Sequence, residues 1–143
     1  SNMDVDQILK DFSAPTILEA LEKLLKLLME ADCSGNEFQI IKIITSIRKI
    51  SSCKNFSPSN DFVKSGIVDY LNLYLSPPYR HISVLQVETI WILSNITSGQ
   101  NIDLSFLFTT NIGKNIIELL RSENQEISFN VYLLEIIFYL LFI

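Results

Sequence analysis

The chain has 143 residues, enough for one domain with a substantial core, and a formal net charge of −5 at pH 7. This acidity argues against a nucleic-acid binder, since neutralising phosphates needs a basic face, and is compatible with a basic partner. Hydrophobic residues make up 48% of the chain, and four Gly and four Pro are too few for a loop-rich or all-β protein, so stacked helices are favoured.

The first part of the chain predicts three helices. The segment from Asp4 to Phe12 has its apolar residues on one side and ends before Pro15, since proline disfavours helix in the residue before it. Thr16 is placed to cap the next helix, with Glu19 at capping-box spacing, and apolar residues then recur at helical spacing until a turn. The third helix is predicted from Glu37 to Ser52, with isoleucines along one face.

A short, a medium and a long helix are then predicted twice in succession. The predicted segments are Asp61–Gly66, Ile67–Leu75 and Ile82–Ser98, followed by Asp103–Asn111, Ile112–Arg121 and Glu126 onward. A shift of 45 places Asn111 on Gly66, and both types tolerate positive φ at a corner between helices. A shift of 46 places 47–52 on 93–98, and a period of about 45 with three helices is typical of armadillo repeats.

The segment from Leu85 to Gly99 has the most distinctive pattern, LQVETIWILSNITSG, and holds the only tryptophan, Trp91. Glu88, Trp91 and Asn95 share one helical face at i, i+3 and i+7, while the other faces are apolar. An aromatic and polar row above a buried wall is typical of peptide binding and not of catalysis. Gly99 is expected to end this helix in the left-handed conformation.

This row has a physical rationale as a peptide site. An asparagine side chain offers a donor and an acceptor, so it can pair with both backbone groups of an extended peptide. An indole face beside it can hold the aliphatic stem and the ammonium group of a lysine. The row therefore indicates affinity for main chain together with a preference for Lys and Arg.

The pattern LQxExxWxLxNIxSG resembles the third helix of an armadillo repeat, and in particular that of the importin-alpha adaptors, which carry nuclear localisation signals. The resemblance is dense over these residues and weaker elsewhere. It implies that Trp91 and Asn95 bind the peptide, that Glu88 is the family's acidic position, and that Ser98 and Gly99 lie beside a lysine pocket. It also implies a basic peptide or protein cargo, an import carrier, and a location in the cytoplasm and the nucleus.

The fold class expected from period and resemblance is all-α, an armadillo-type right-handed superhelix. One domain would span residues 1–143, with three repeats at about 4–55, 61–99 and 103–143.

Two of the three predicted repeats depart from the family pattern. The first has Thr45 at the tryptophan position and Lys49 at the asparagine position, and a lysine there would repel a basic ligand. The last repeat has no tryptophan; Leu133 or Ile137 falls near that position. The alternative function is therefore a protein-interaction scaffold without basic-peptide specificity, which self-associates through its apolar C-terminal end, 138–143.

Enzyme and cofactor signals are missing from the sequence. No nucleophile elbow, Walker loop, HExxH or zinc cluster occurs, and His81 is the only histidine, so neither catalysis nor a cofactor is expected. Cys33 and Cys53 form no CxxC and are interpreted as reduced thiols of an intracellular protein. The apolar tail 131–143 is shorter than the roughly 20 residues that a membrane span needs, so no membrane contact is expected.

Overall fold

The computed structural model describes residues 2–53, 57–99, 105, 111–119 and 121, and the regular secondary structure within them is helical. The α-helices are α1 (Asn2–Asp11), α2 (Ile17–Cys33), α3 (Glu37–Ser51), α4 (Ser59–Ser65), α5 (Ile67–Leu71), α6 (Ser83–Thr97) and α7 (Ile112–Leu119). Two 3₁₀ turns, Asn72–Leu75 and Pro77–Tyr79, lie between α5 and α6. The predicted all-α class is confirmed. The predicted last long helix and the apolar tail lie outside the described residues.

Side-chain caps define where the first long helices begin. The hydroxyl of Thr16 accepts a hydrogen bond from the backbone N–H of Glu19 at 3.2 Å, so the predicted cap of α2 is confirmed. The side chain of Asn36 caps α3 in the same way by accepting from the N–H of Gln39 at 3.2 Å. These caps satisfy backbone donors that the first turn of a helix leaves without an internal partner.

The corner between α4 and α5 is a single glycine. Gly66 has φ +80° and ψ 0°, the left-handed conformation that the sequence predicted, and its N–H donates to the carbonyl of Val63. The helix after this corner is shorter than predicted, because α5 ends at Leu71 and a 3₁₀ turn continues to Leu75. Ser76 is extended at ψ 158°, as the residue before a proline prefers, so the chain leaves the helix there.

The helices stack in layers that bury each other's apolar faces. The first unit consists of α1–α3 and the second of α4–α6. Between them α3 packs along α6 and α2 packs against α4, while within the first unit α2 packs against α3. The core is continuous through both units and includes the fully buried Leu21, Leu24, Leu28, Ile44, Ile47, Phe62, Leu71, Tyr74, Leu85, Ile90 and Leu93. This nearest-neighbour burial is that of an armadillo-like α-solenoid.

The register between α3 and α6 is regular. The two helices begin 46 residues apart and end 46 residues apart, at Glu37 and Ser83 and at Ser51 and Thr97. Equivalent positions of the two helices are therefore those paired by the 46-residue overlay of the sequence.

Two tyrosines join the units on the α2 side of the stack. The hydroxyls of Tyr70 and Tyr79 both donate to the carboxylate of Asp32 near the end of α2, the first at 2.8 Å. Burial, followed by this hydrogen bond, raises the pKa of Tyr70. The hydrogen bond to Asp32, followed by burial, raises the pKa of Tyr79 to about 12. A charged phenolate is disfavoured at both positions because it would lose its role as donor and face a carboxylate.

Candidate functional site

About half of α6 is buried, and one stripe of the other half is open. The buried residues are Leu85, Gln86, Thr89, Ile90, Ile92, Leu93, Ile96 and Thr97. Among the residues that are exposed or half-buried, one stripe follows steps of four and three residues and is called the α6 row below: Val84, Glu88, Trp91, Asn95 and, at the C-cap, Ser98. The predicted grouping of Glu88, Trp91 and Asn95 on one face is therefore present, and Val84, which is 40% exposed, extends it.

Trp91 lies on the surface and not in the core. Its side chain is 42% exposed, in contrast to the neighbouring Ile90 and Ile92, which are fully buried. The guanidinium carbon of Arg48, from the last turn of α3, lies 4.6 Å from the centre of the indole ring. This distance is within the range of a cation–π contact. The face of the Trp91 ring that could bind a ligand's cation is therefore already in contact with the guanidinium of Arg48.

Glu88 holds the same arginine. Nε of Arg48 donates to the Oε2 atom of Glu88 at 2.6 Å, and the two side chains are 21% and 14% exposed. The pair is thus sheltered from water, and its attraction is screened less than that of a surface pair. Arg48, Glu88 and Trp91 form a three-residue cluster between α3 and α6.

Asn95 is tied to the end of α3. Its side-chain Nδ2 donates to the hydroxyls of Ser51 and Ser52, both at 3.1 Å. Those hydroxyls in turn donate to the backbone carbonyl of Arg48 at 2.6 and 3.1 Å. No described residue donates a hydrogen bond to the Oδ1 atom of Asn95, while its Nδ2 atom links α6 to α3.

The last two predicted positions lie at the end of the row. Ser98 is exposed, and its hydroxyl donates to the carbonyl of Asn95 at 3.0 Å. The expected left-handed conformation of Gly99 is wrong, because Gly35 and Gly66 are the described glycines with positive φ. Glycine is required at 99 for space: a Cβ there would overlap the hydroxyl oxygen of Ser59 and lie 2.6 Å from that of Ser57. Gly99 thus allows the segment before α4 to approach the end of α6.

Gln86 has a structural role in the same sequence motif. It is fully buried, and its Nε2 donates to the carbonyls of Tyr74 and Tyr79 at 2.9 and 2.7 Å. These carbonyls belong to the two 3₁₀ turns, which leave backbone groups without helical partners. The motif therefore combines positions that fix the fold, such as Gln86 and Gly99, with positions that face outward.

The equivalent row of the first unit is basic. Lys42, Thr45 and Lys49 of α3 correspond to Glu88, Trp91 and Asn95 of α6 in the 46-residue register, and Lys42 is exposed. Both described third helices thus contribute to one surface, with an aromatic and polar half and a cationic half. The counterpart predicted for a third repeat, near Leu133 or Ile137, falls outside the described residues.

Sequence reasoning missed the residues that contact the row from α3. The 46-residue overlay pairs Arg48, Ser51 and Ser52 with positions of α6, but it does not predict that these side chains contact Glu88, Trp91 and Asn95. The sequence gives one indication of these contacts. Arg48 directly precedes Lys49, the equivalent of Asn95, and an arginine side chain at that position is long enough to reach the adjacent helix. That it reaches forward to Trp91 and Glu88 depends on how the two helices are rotated, which the overlay does not contain.

Other site types find little support. Within the described ranges, no three His, Cys, Asp or Glu side chains are grouped closely enough to hold a metal ion. None of the helices in the described part of the chain combines the length and the apolar run that crossing a bilayer requires. The described residues therefore define the class of armadillo-like α-solenoids, here with an open aromatic and amide row on α6.

Comparisons with known proteins agree with this class. The chain is 27% identical over 122 residues to Importin subunit alpha-6 of Arabidopsis thaliana, which covers 82% of the chain and 22% of that protein. It is 36% identical over 83 residues to Importin subunit alpha-B of Dictyostelium discoideum, which covers 58% of the chain and 16% of that protein. The chain thus spans about a fifth of the length of these curated relatives. No protein-family model and no solved structure matches it.

Proposed function

We propose that this chain is an armadillo-type protein-binding module that takes an extended, Lys- or Arg-containing peptide along the α6 row, as a relative of the nuclear-import adaptors. The observation that carries the proposal is the 42% exposure of Trp91, a large aromatic placed between the fully buried Ile90 and Ile92. Exposed tryptophans are enriched among the residues that contribute most to binding a partner protein. The similarity to two importin alpha subunits supports the same function.

Each residue of the proposed site has a role that follows from its chemistry. The indole of Trp91 packs on the aliphatic stem of a lysine and attracts its ammonium group. Glu88 supplies the carboxylate for that charge. The amide of Asn95 pairs with the peptide backbone, beginning with its Oδ1 acceptor. Ser98 ends the row with an exposed hydroxyl, and Gly99 contributes only its backbone, since Ser57 and Ser59 fill the space beside its Cα.

The partner in this proposal is a protein cargo with a nuclear localisation signal, and a carrier would complete transport between cytoplasm and nucleus. The first unit limits the length of a basic ligand, because Lys42 and Lys49 occupy its row. The affinity for a basic peptide should therefore come mainly from the second unit. It should be weak, because a single Trp and Asn pair lacks the gain in affinity that several linked pairs along successive repeats would give.

A labelled Lys-rich localisation-signal peptide provides the test, with its fluorescence anisotropy followed at low and at moderate salt. Trp91→Ala should weaken binding about tenfold, which corresponds to about 1.4 kcal/mol. Asn95→Ala should weaken it less, since part of its amide is already used. Met29→Ala is the control, because Met29 is a 47% exposed apolar residue of α2 and belongs to neither α3 nor α6. Circular dichroism would confirm that each variant is folded.

The outcomes separate the proposal from its failure. Binding that is saturable, weakened by salt and dependent on Trp91 supports the import-adaptor function. Binding that Trp91→Ala and Met29→Ala reduce equally would contradict it, as would the absence of any binding to the folded protein.

A second candidate is favoured by the cationic half of the surface. Lys42 and Lys49 lie in the row of α3, and Glu88 is neutralised by Arg48, so the described surface has an excess of positive charge. A scaffold without basic-peptide specificity, or one that prefers acidic segments, fits that balance. A peptide of the same length in which each Lys is replaced by Glu distinguishes the two: tighter binding of the Glu peptide would favour the scaffold. The proposed self-association through the C-terminal end concerns residues outside the described part of the chain.

A further inference from the structure

The cluster of Arg48, Glu88 and Trp91 reproduces the contacts that a basic ligand would make. A guanidinium carbon 4.6 Å from the ring centre and a 2.6 Å bond to a sheltered carboxylate are the two interactions that a peptide Lys or Arg seeks at this place. The term "cation seat" is used below for the ring of Trp91 together with the carboxylate of Glu88.

We propose that Arg48 is a specificity-determining residue that occupies the cation seat from within the chain, so that a basic ligand has to displace it. The inference rests on the function proposed above and adds to it an internal competitor. If a ligand binds only when Arg48 has left the cation seat, its apparent affinity is its intrinsic affinity multiplied by the fraction of molecules in which the seat is free. A basic ligand that contacts only the cation seat is thereby rejected, while a ligand that also contacts Asn95 and the rest of the row can still bind.

The side chain of Arg48 is separable from the other link between the two helices. Asn95 reaches α3 through the hydroxyls of Ser51 and Ser52, and these bind the backbone carbonyl of Arg48, not its guanidinium. Truncation of the side chain leaves this second link in place. Arg48 also lies on the surface of the stack at 21% exposure and contributes no buried apolar group to the core. The protein is therefore expected to fold without it.

Lys49 provides a matched control. It is the next residue on the same turn of α3, carries the same charge, and has no described bond to Glu88 or contact with the ring of Trp91. Loss of either cation changes the net charge equally. A difference between Arg48→Ala and Lys49→Ala is therefore due to the cation seat and not to the overall charge.

The first measurement needs no ligand. Trp91 is the only tryptophan, so quenching of intrinsic fluorescence by acrylamide reports directly on the ring. Arg48→Ala should make Trp91 more accessible to the quencher, while Lys49→Ala should leave quenching as in the wild type. Equal quenching in all three proteins would overturn the claim that Arg48 covers the seat.

The second measurement is the affinity for the Lys-rich peptide by anisotropy. Arg48→Ala should bind about tenfold more tightly than the wild type, as expected when an occupant present nine-tenths of the time is removed. Lys49→Ala should gain less, through charge alone. If Arg48→Ala proves unstable by urea unfolding, Arg48→Gln keeps a polar side chain without the charge and should show the same direction of change.

Failure of this inference differs from failure of the proposed function. Wild-type binding that depends on Trp91 but is unchanged or weakened in Arg48→Ala would overturn the role of Arg48 and leave the function standing. No binding by any variant would overturn the proposed function and with it the selection by Arg48.

Discussion

Replacement of Gln86 by methionine should destabilise the fold and spare the binding row. The change keeps the approximate length and volume of the side chain but removes the Nε2 donor that bonds the carbonyls of Tyr74 and Tyr79. Gln86 is fully buried, so water cannot replace it. Two lost hydrogen bonds correspond to about 2 kcal/mol.

Two further effects adjust this magnitude in opposite directions. The carbonyl of Tyr79 keeps a hydrogen bond from the N–H of Ile82 at 3.0 Å, so the desolvation penalty falls on Tyr74, at about 1–2 kcal/mol. The Oε1 atom of Gln86 is buried without a partner among the described residues, and its removal returns about 1 kcal/mol. The net loss of unfolding free energy is about 2–3 kcal/mol.

Urea unfolding followed by circular dichroism measures this loss. With a denaturant slope of about 2 kcal/mol per M, the midpoint should fall by about 1–1.5 M. Gln39→Met on the exposed side of α3 is the control and should change the free energy by less than about 0.5 kcal/mol. A Gln86→Met midpoint equal to that of the control would refute the assignment of Gln86 to the fold. Loss of peptide binding in the folded variant would show that it serves the row instead.

Two other perturbations test features described above. Gly99→Ala should reduce stability by about 1–3 kcal/mol in thermal unfolding, because its Cβ would overlap Ser59, and Ser59→Gly should recover part of that loss; unchanged stability of Gly99→Ala would contradict the close approach. Tyr79, with its pKa raised to about 12 from 10.0, contributes stability that is fully present below pH 10 and lost as the pH rises through 12. Asp32→Asn should shift the phenolate absorbance of Tyr79 to lower pH, and an unchanged titration would show that Asp32 is not the cause.

The backbone could be predicted well where local chemistry decides it. Thr16 caps α2 and Gly66 makes a left-handed corner, because each depends on the residue itself and its immediate neighbours. The prediction for Gly99 was wrong for the opposite reason. A glycine after a helix is usually a conformational cap, but here it is fixed by the distant Ser59, and sequence spacing carries no information about that approach.

The face of the candidate site was predictable, but its occupancy was not. Helical periodicity alone places Glu88, Trp91 and Asn95 on one stripe, and the burial of the intervening residues agrees with it. Arg48 is 40 residues away from Glu88 along the chain, and its reach depends on the rotation of α3 against α6. A motif can thus indicate which groups face outward without indicating which of them are already paired.

The polar ties between α3 and α6 also have a mechanical meaning. Arg48 with Glu88, and Asn95 with Ser51 and Ser52, connect α3 to α6 on the side of the α6 row. Buried apolar contacts hold the same units but resist sliding less sharply than directed hydrogen bonds do. A ligand that takes over these side chains would therefore loosen the joint as it binds. The angle between successive units, and with it the spacing of the positions that could contact a peptide, would then differ between the free and the ligand-bound protein.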